Sequence, residues 1–224
     1  MSERLNKYIA FQLGMSRREA DELIERGRVT VNGDTATLGG RFEEGDTIAV
    51  DGKTLGRDTA YQYLMLNKPI GYVSSRRQQG EIPTLYALIP EEYHTLKPVG
   101  RLDKESSGLI LLTNDGDFAY QMTHPKFYKV KQYDVALDRE LKPLHHQIIN
   151  DHGIHLEDGP SQLILERKDD SHRHWTVTMH EGRNRQIRRT FGALGYGVDS
   201  LHRTHFGPYA LADLESGEFK IIEK

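Results

Sequence analysis

Apolar residues in the first quarter of the chain fall at helical spacing. Leu5, Tyr8, Ile9 and Leu13 line one face of a helix that Gly14 ends. Ser16, with Glu19 three residues on, makes a capping-box pattern and starts a second helix. Ala20, Leu23 and Ile24 form its stripe and Gly27 stops it. The period then changes. Val29-Thr30-Val31 reads as a short strand, and Asn32-Gly33 predicts a tight turn. Gly39-Gly40 and Gly45-Asp46 punctuate the chain before another strand, Thr47-Ile48-Ala49-Val50. Asp51 to Ala60 is polar and reads as a linker.

Strand patterns dominate beyond the linker. Tyr61 to Leu66 is a strand leading into Asn67-Lys68-Pro69-Ile70-Gly71-Tyr72-Val73. Leu109-Ile110-Leu111-Leu112 is a near-continuous apolar run, the mark of a strand buried on both faces. Val130 to Leu137 alternates and contains Tyr133; Leu163-Ile164-Leu165 and Trp175 to Met179 are further strands. Ile187 to Leu194 is predicted as a helix stopped by Gly195. Strands and helices mix irregularly, so the fold class is α+β. A small N-terminal domain, residues 1–58, precedes a larger one, residues 59–224, with a mainly antiparallel or mixed sheet flanked by helices.

Composition narrows the function classes. The chain has 224 residues, 37% hydrophobic and 28% charged, which is ample for a core. It has no cysteine, which excludes disulfides and thiolate metal sites and fits a reducing compartment. There is no membrane-length apolar run, and Met1 to Lys7 lacks the apolar core of a signal peptide, so a cytoplasmic protein is expected. A net charge of -3 does not announce a nucleic-acid binder. Local clustering does: Arg183, Arg185, Arg188, Arg189 and Arg203 stand between His180 and His205 against only Glu181 and Asp199. The histidines, His145-His146 and His172-Arg173-His174 among them, show no zinc spacing with acidic or cysteine partners, and no phosphate-binding glycine loop is present, so no metal or cofactor is expected.

Asp103 is the candidate centre. It lies in Gly100-Arg101-Leu102-Asp103-Lys104-Glu105-Ser106-Ser107-Gly108-Leu109, on a loop that enters the buried run. An Asp beside Arg101 is also a common structural ion pair. The segment Gly100 to Asp117, with its tail Leu111-Leu112-Thr113-Asn114-Asp115-Gly116, resembles the catalytic motif of the RNA pseudouridine synthases, in the branch that carries an S4 domain and modifies ribosomal RNA. The N-terminal marks of that branch are Arg4 to Ile9, Ser16 to Ala20 and Gly27 to Gly33. The resemblance implies Asp103, Tyr133 and Arg188 as catalytic residues. Tyr133 would stack on an extracted uracil, Ile187 would pack on it, and Arg188, in Glu181 to Arg189, would pair with Asp103. Arg101 would fill the gap left by the base.

Arg183, Arg185 and Arg189 would bind phosphate or form a solvated basic face. Arg17, Arg18, Arg26 and Arg28 bracket the second helix and are candidate RNA contacts. The segment Ser74 to Gly80, with Arg76-Arg77, resembles a variable RNA-facing loop. Asp103 would act as a nucleophile at C1′ or a base at C2′ of the ribose. The implied partner is ribosomal RNA or a ribosome assembly intermediate, the large subunit favoured, bound by a monomer without membrane or small-molecule cofactor. One rival is a non-catalytic S4 assembly factor, which has no need of all three catalytic residues. Another is a glycosidic-bond hydrolase, which needs a second acid. Glu105 and Asp115 are the nearest carboxylates in sequence, and turn and cap roles explain them equally well.

Overall fold

The computed structural model describes residues 2–56, 60–76 and 80–224. It divides into two compact units. The first runs to Gln62 and takes in Glu92–Leu96; the second comprises Tyr63–Glu91 and Lys97–Lys224. The expected boundary at 58/59 falls within residues 57–59, outside the described residues.

In the first unit a two-residue strand β1 (Glu3–Arg4) leads into α1 (Leu5–Gln12) and α2 (Arg17–Glu25). The capping box forms as the sequence reads: Glu19 N–H donates to Ser16 Oγ at 3.1 Å, and Ser16 N–H donates to Glu19 Oε2 at 2.7 Å. Strands β2 (Val29–Val31), β3 (Asp34–Thr35), β5 (Ile48–Val50) and β6 (Lys53–Thr54) form a four-stranded sheet in the order β3-β2-β5-β6, and β4 (Arg41–Phe42) pairs with β1. Asn32 and Gly33 take φ +53° and +93° in the predicted turn. The linker reading of Asp51 to Ala60 is corrected in its first part. Asp51 and Gly52 turn at φ +50° and +75°, and Lys53–Thr54 returns to the sheet. An Asp-Gly pair between strand residues is a hairpin signal. Leu5, Ile9, Ala20, Ile24, Val29 and Ile48 close this unit's core.

The second unit is built on a nine-stranded sheet among the described residues. Its strands are β7 (Tyr63–Lys68), β8 (Lys97–Pro98), β9 (Ser107–Thr113), β10 (Lys131–Leu137), β13 (Ile164–Arg167), β14 (His174–Met179), β15 (Val198–Phe206), β16 (Tyr209–Ala210) and β17 (Phe219–Ile221). The order is β13-β14-β10-β15-β9-β7-β17, with β16 beside β15 and β8 beside β9. Each pairing is antiparallel except β15 with β9. A separate hairpin, β11 (Ile154–Leu156) with β12 (Gly159–Ser161), stands off the sheet. The apolar run of β9 is buried along its length, with α3 (Gly116–Thr123) contributing Phe118 and Met122 to the core beside Leu109, Leu111 and Phe206. Each such leucine, fully buried, contributes about 1.5–3 kcal/mol. Asp115 caps α3, accepting from the N–H groups of Asp117 and Phe118 at 3.0 Å. The short α4 (Pro143–Gln147) puts His146 in a stack on Trp175, with ring centroids 5.0 Å apart, and lets His145 bond the Tyr196 hydroxyl at 2.7 Å, so both histidines serve packing.

The nine-residue β15 is central, and the reading of elements from periodicity missed it. Asp199, Ser200, His202, Arg203 and His205 break its apolar alternation. Its parallel pairing with β9 sets Arg203 opposite Gly108. A Cβ on Gly108 would lie 2.3 Å from the Arg203 carbonyl oxygen, and Gly108 has φ +104°. No other residue type fits there. Among the described residues no helix is long and apolar enough to cross a membrane.

Gly108→Ala should therefore destabilise the second unit by well over about 2 kcal/mol, the upper end of what the left-handed conformation alone costs a residue with a Cβ. Gly217→Ala is the control. It has φ +89° with nothing within 4 Å of an added Cβ, and should cost only about 1–2 kcal/mol. Urea unfolding followed by the fluorescence of Trp175, the single tryptophan, measures both.

Candidate active site

Asp103 is held on a loop pinned from two neighbouring segments. Gly100, at φ +75°, turns the chain into it. Leu102 N–H donates to Ser74 Oγ at 3.1 Å, and the Ser74 hydroxyl donates back to Leu102 O at 2.9 Å. Gly71 N–H donates to Lys104 O at 2.8 Å, and Ser106 N–H to Asp103 O at 3.1 Å. Ser74 thus faces inward and anchors the loop, whereas Arg77, in the expected RNA-facing stretch, lies outside the described residues. The loop then enters β9 at Ser107.

A cavity of about 250 Å³ opens beside this loop. Asp103, Arg101, Tyr133, Ile187, Arg183 and Arg185 are among the residues that line it. Tyr133 and Ile187 are buried there; Arg101 is exposed. Arg188 and Arg189 are not among the lining residues. The helix expected from Ile187 to Leu194 is α5 (Gln186–Gly192).

The arginines do not distribute as expected. Arg188 does not form the ion pair with Asp103. Its Nη1 donates to Val198 O at 2.7 Å and its Nη2 to Glu105 O at 3.0 Å, tying α5 to the start of β15 and to the Asp103 loop. Burial and the neighbouring Arg185 push its guanidinium below the usual range; the charges of Glu105 and Asp103 act the other way. The cation nearest Asp103 is Arg185, with Nη1 3.8 Å from Oδ2, and Arg185 binds Glu105 Oε2 at 2.8 Å. This holds the Glu105 carboxyl below its ordinary value. Arg185 adopts φ +49°, a left-handed conformation that costs a non-glycine residue about 1–2 kcal/mol.

Arg183 and Arg189, expected to bind phosphate or form a solvated basic face, both have partners within the chain. Arg183 donates to Asp158 Oδ1 at 2.8 Å and Pro160 O at 2.7 Å, and Arg189 grips both oxygens of Asp158 at 3.0 and 2.7 Å. Both side chains clamp the β11–β12 turn. Asp115 is the buried cap of α3 and Glu105 the partner of Arg185, so neither faces Asp103 as a second free acid.

In the first unit, Arg28 is paired with Asp51, and Arg26 with Glu22 at 3.7 Å. Arg17 and Arg18 are exposed and form no ion pair among the described residues.

Three cations of the second unit were missed as site residues. Lys68 is fully buried and donates to Pro69 O and Tyr72 O, both at 2.9 Å. Burial brings it down to about 8, opposed by the charges of Asp103 and Glu105. Lys131 and Arg203 line the cavity itself. The signal for Lys131 was its place two residues before Tyr133, which puts both on one face of a strand. Arg203 was visible only as a member of the basic cluster.

Arg188→Ala should lower stability by about 2–3 kcal/mol, because hydrogen bonds from a charged donor contribute about 1.5–3 kcal/mol and two carbonyls lose theirs. Arg185→Ala removes a half-exposed pair and should change stability by no more than about 1 kcal/mol. Denaturant midpoints of the two variants measure the difference. Equal losses would show that Arg188 is not the structural tie.

Comparison with known proteins identifies the family. A family model described as RNA pseudouridylate synthase matches residues 62–193, and the S4 domain model matches residues 3–48. Ribosomal large subunit pseudouridine synthase B of Bacillus subtilis (strain 168) is 38% identical over 96% of this chain and 90% of its own length. Ribosomal small subunit pseudouridine synthase A of Pasteurella multocida (strain Pm70) is 37% identical over 98% and 95%. A crystal structure of a pseudouridylate synthase aligns with a TM-score of 0.70 at 33% identity, covering 98% of this chain and 96% of that one. With both models matched in order along the chain and relatives matched over nearly their whole length, the chain belongs to the RNA pseudouridine synthases, isomerases that here carry an RNA-binding S4 domain ahead of the catalytic one.

Proposed function

We propose that this synthase converts a specific uridine of ribosomal RNA to pseudouridine, with Asp103 as the catalytic carboxylate. The observation that carries the assignment is that Asp103, Tyr133 and Ile187 line one cavity, the first on a pinned loop and the other two buried in its wall. The reaction breaks the bond between ribose C1′ and uracil N1 and rejoins the base through C5. It needs an ionised carboxylate at the sugar and flat apolar surfaces for the base. Asp103 supplies the first, while Tyr133 and Ile187 supply the second. Arg101, exposed at the mouth, is the candidate to occupy the space the extracted base leaves in the RNA. Arg188 acts as a positioning residue, through its tie to the Asp103 loop.

Ribosomal RNA is the proposed substrate because relatives over the whole chain are named for it. The large- and small-subunit relatives named above are similar to within one percentage point of identity, so identity favours neither subunit's RNA. Arg17 and Arg18, exposed and without an ion pair among the described residues, are the proposed phosphate contacts there.

Asp103→Asn should lower pseudouridine formation at least about 1000-fold and leave RNA affinity within a few fold. Tritium release from C5 of labelled uridine in ribosomal RNA measures the first; an Asn variant with near-native turnover would overturn the assignment. Arg17→Ala and Arg18→Ala should each reduce the slope of log affinity against log salt by about 0.7–0.9. Arg28→Ala, whose guanidinium is bound to Asp51, should change it less. Binding titrations at several salt concentrations decide, and unchanged slopes for Arg17 and Arg18 would remove them from the interface.

A further inference from the structure

The cavity holds a second cationic group that Asp103 does not account for. Strands β10 and β15 lie side by side with Tyr133 opposite Arg203 and Lys131 opposite Phe206, across a bulge in register. Lys131, Tyr133 and Arg203 thereby form one patch of the cavity wall. Arg203 is 2% exposed. Its Nε donates to Leu109 O at 2.7 Å, and its guanidinium carbon lies 4.8 Å from the Phe206 ring centre and 6.0 Å from that of Tyr133. Its Nη2 is buried with no hydrogen-bond partner among the described residues. Lys131 makes one hydrogen bond, to Glu181 O at 3.2 Å, and lies 5.5 Å from the Phe206 ring centre. Burial and the charge of Arg203 bring Lys131 down to about 8. Neither cation has a carboxylate ion-pair partner among the described residues, and Ser106 Oγ, on the same cavity, is another buried polar atom left without a bond.

A buried guanidinium and a half-buried ammonium on one patch, both short of acceptors, are costly unless something negative occupies the cavity. The proposed reaction makes such a group. When the C1′–N1 bond opens, its electron pair leaves with the base, and the charge spreads from N1 onto the O2 and O4 carbonyl oxygens. We propose that Lys131 and Arg203 are further catalytic residues that donate hydrogen bonds to this departing uracil anion, stacked on Tyr133. The inference rests on the assignment of the cavity to the target uridine, and it holds for either role of Asp103. The charge is transient. C5 then bonds C1′, the C5 proton is lost, N1 takes up a proton, and the product is a neutral isomer. Donors fixed before the bond breaks act where the charge develops, in a site shielded from water. A phosphate fits the patch poorly, because the Arg203 guanidinium lies against two aromatic rings and is almost wholly buried.

The test uses the full chain and an RNA in which the wild-type protein forms pseudouridine. The target position carries either uridine or 5-fluorouridine, whose electron-withdrawing fluorine makes the base a better leaving group. Single-turnover loss of the target nucleoside is followed for Lys131→Met, Arg203→Met and Lys131→Arg. Each Met variant should slow the uridine reaction by about 100-fold or more, the usual effect of removing one such donor. With 5-fluorouridine the slowing should shrink by about 10-fold or more. RNA affinity should stay within a few fold, Lys131→Arg should recover part of the rate, and the thermal midpoint of Lys131→Met should not fall. Equal slowing on both nucleosides would overturn the proposal and leave a packing role. A lost rate matched by lost affinity and a smaller salt slope would overturn it in favour of a phosphate contact. If Arg203→Met fails to fold, Lys131→Met decides alone. Asp103→Asn is run alongside: its inactivity separates a failure of this inference from a failure of the cavity assignment.

Discussion

The close parallel approach of β9 and β15 at Gly108 is the constraint on which the rest of the site depends. With no Cβ at Gly108, the two backbones come within a distance that any side chain would forbid. On the β9 side, the approach fixes the strand that the Asp103 loop feeds. On the β15 side, it fixes Arg203 and, at the start of the strand, the Val198 carbonyl that holds Arg188. Because β15 is also the neighbour of β10, the same junction sets Tyr133 against Arg203. One glycine thus transmits position to the carboxylate, the aromatic platform and both groups of cations. The two ends of the chemistry lie far apart in sequence, and a shared sheet register relates them more rigidly than loops would.

The cations around the cavity are placed at the expense of stability. Lys68 and Lys131 both bind a proton more weakly in the folded chain than in the unfolded one, with folded values near 8 against 10.5. Between those limits the unfolded state holds more protons, so their contribution to stability rises with pH across that window. Below about 8 the full penalty is present. Lys68 is compensated by two backbone carbonyls, as befits a structural brace under the loop. Lys131 and Arg203 are compensated by one carbonyl each and by aromatic faces. That difference separates a cation serving the fold from cations kept for an occupant of the cavity.

Much of this was legible in the sequence, for physical reasons that differ from element to element. The capping box at Ser16, the Asn32-Gly33 turn and the buried run at Leu109 rest on local chemistry that tertiary structure did not override. Tyr133 and Ile187 were singled out by the family resemblance rather than by periodicity, and both line the cavity beside Asp103. Arginines were harder. A guanidinium reaches about as far as several neighbouring residues, so its partner depends on loops whose course no pattern records. Asp158, on the β11–β12 turn, captured Arg183 and Arg189 in this way, and two carbonyls captured Arg188. β15 was hidden because a strand that carries chemistry buries polar residues, and Arg203 at 2% exposure defeats any reading that equates charge with surface.

The looseness of the Asp103 contact suits the role of reacting carboxylate proposed for it. A carboxylate locked in a short two-pronged grip by arginine has its oxygens engaged and pointed at the cation. Here Glu105 takes Arg185 at 2.8 Å and leaves Asp103 at 3.8 Å, while Arg188, spent on two backbone carbonyls, acts on Asp103 only through its charge. Arg185 is held in a left-handed conformation where this sharing is set, and strain of that kind persists where the surroundings over-determine it. Glu105 is therefore best understood as a spacer: it takes the short contact with the Arg185 guanidinium, which stays 3.8 Å from Asp103. The same arrangement leaves Glu105 engaged and not free to serve as a second acid. The carboxylate nearest to Asp103 in sequence is engaged in holding the arginine away from it.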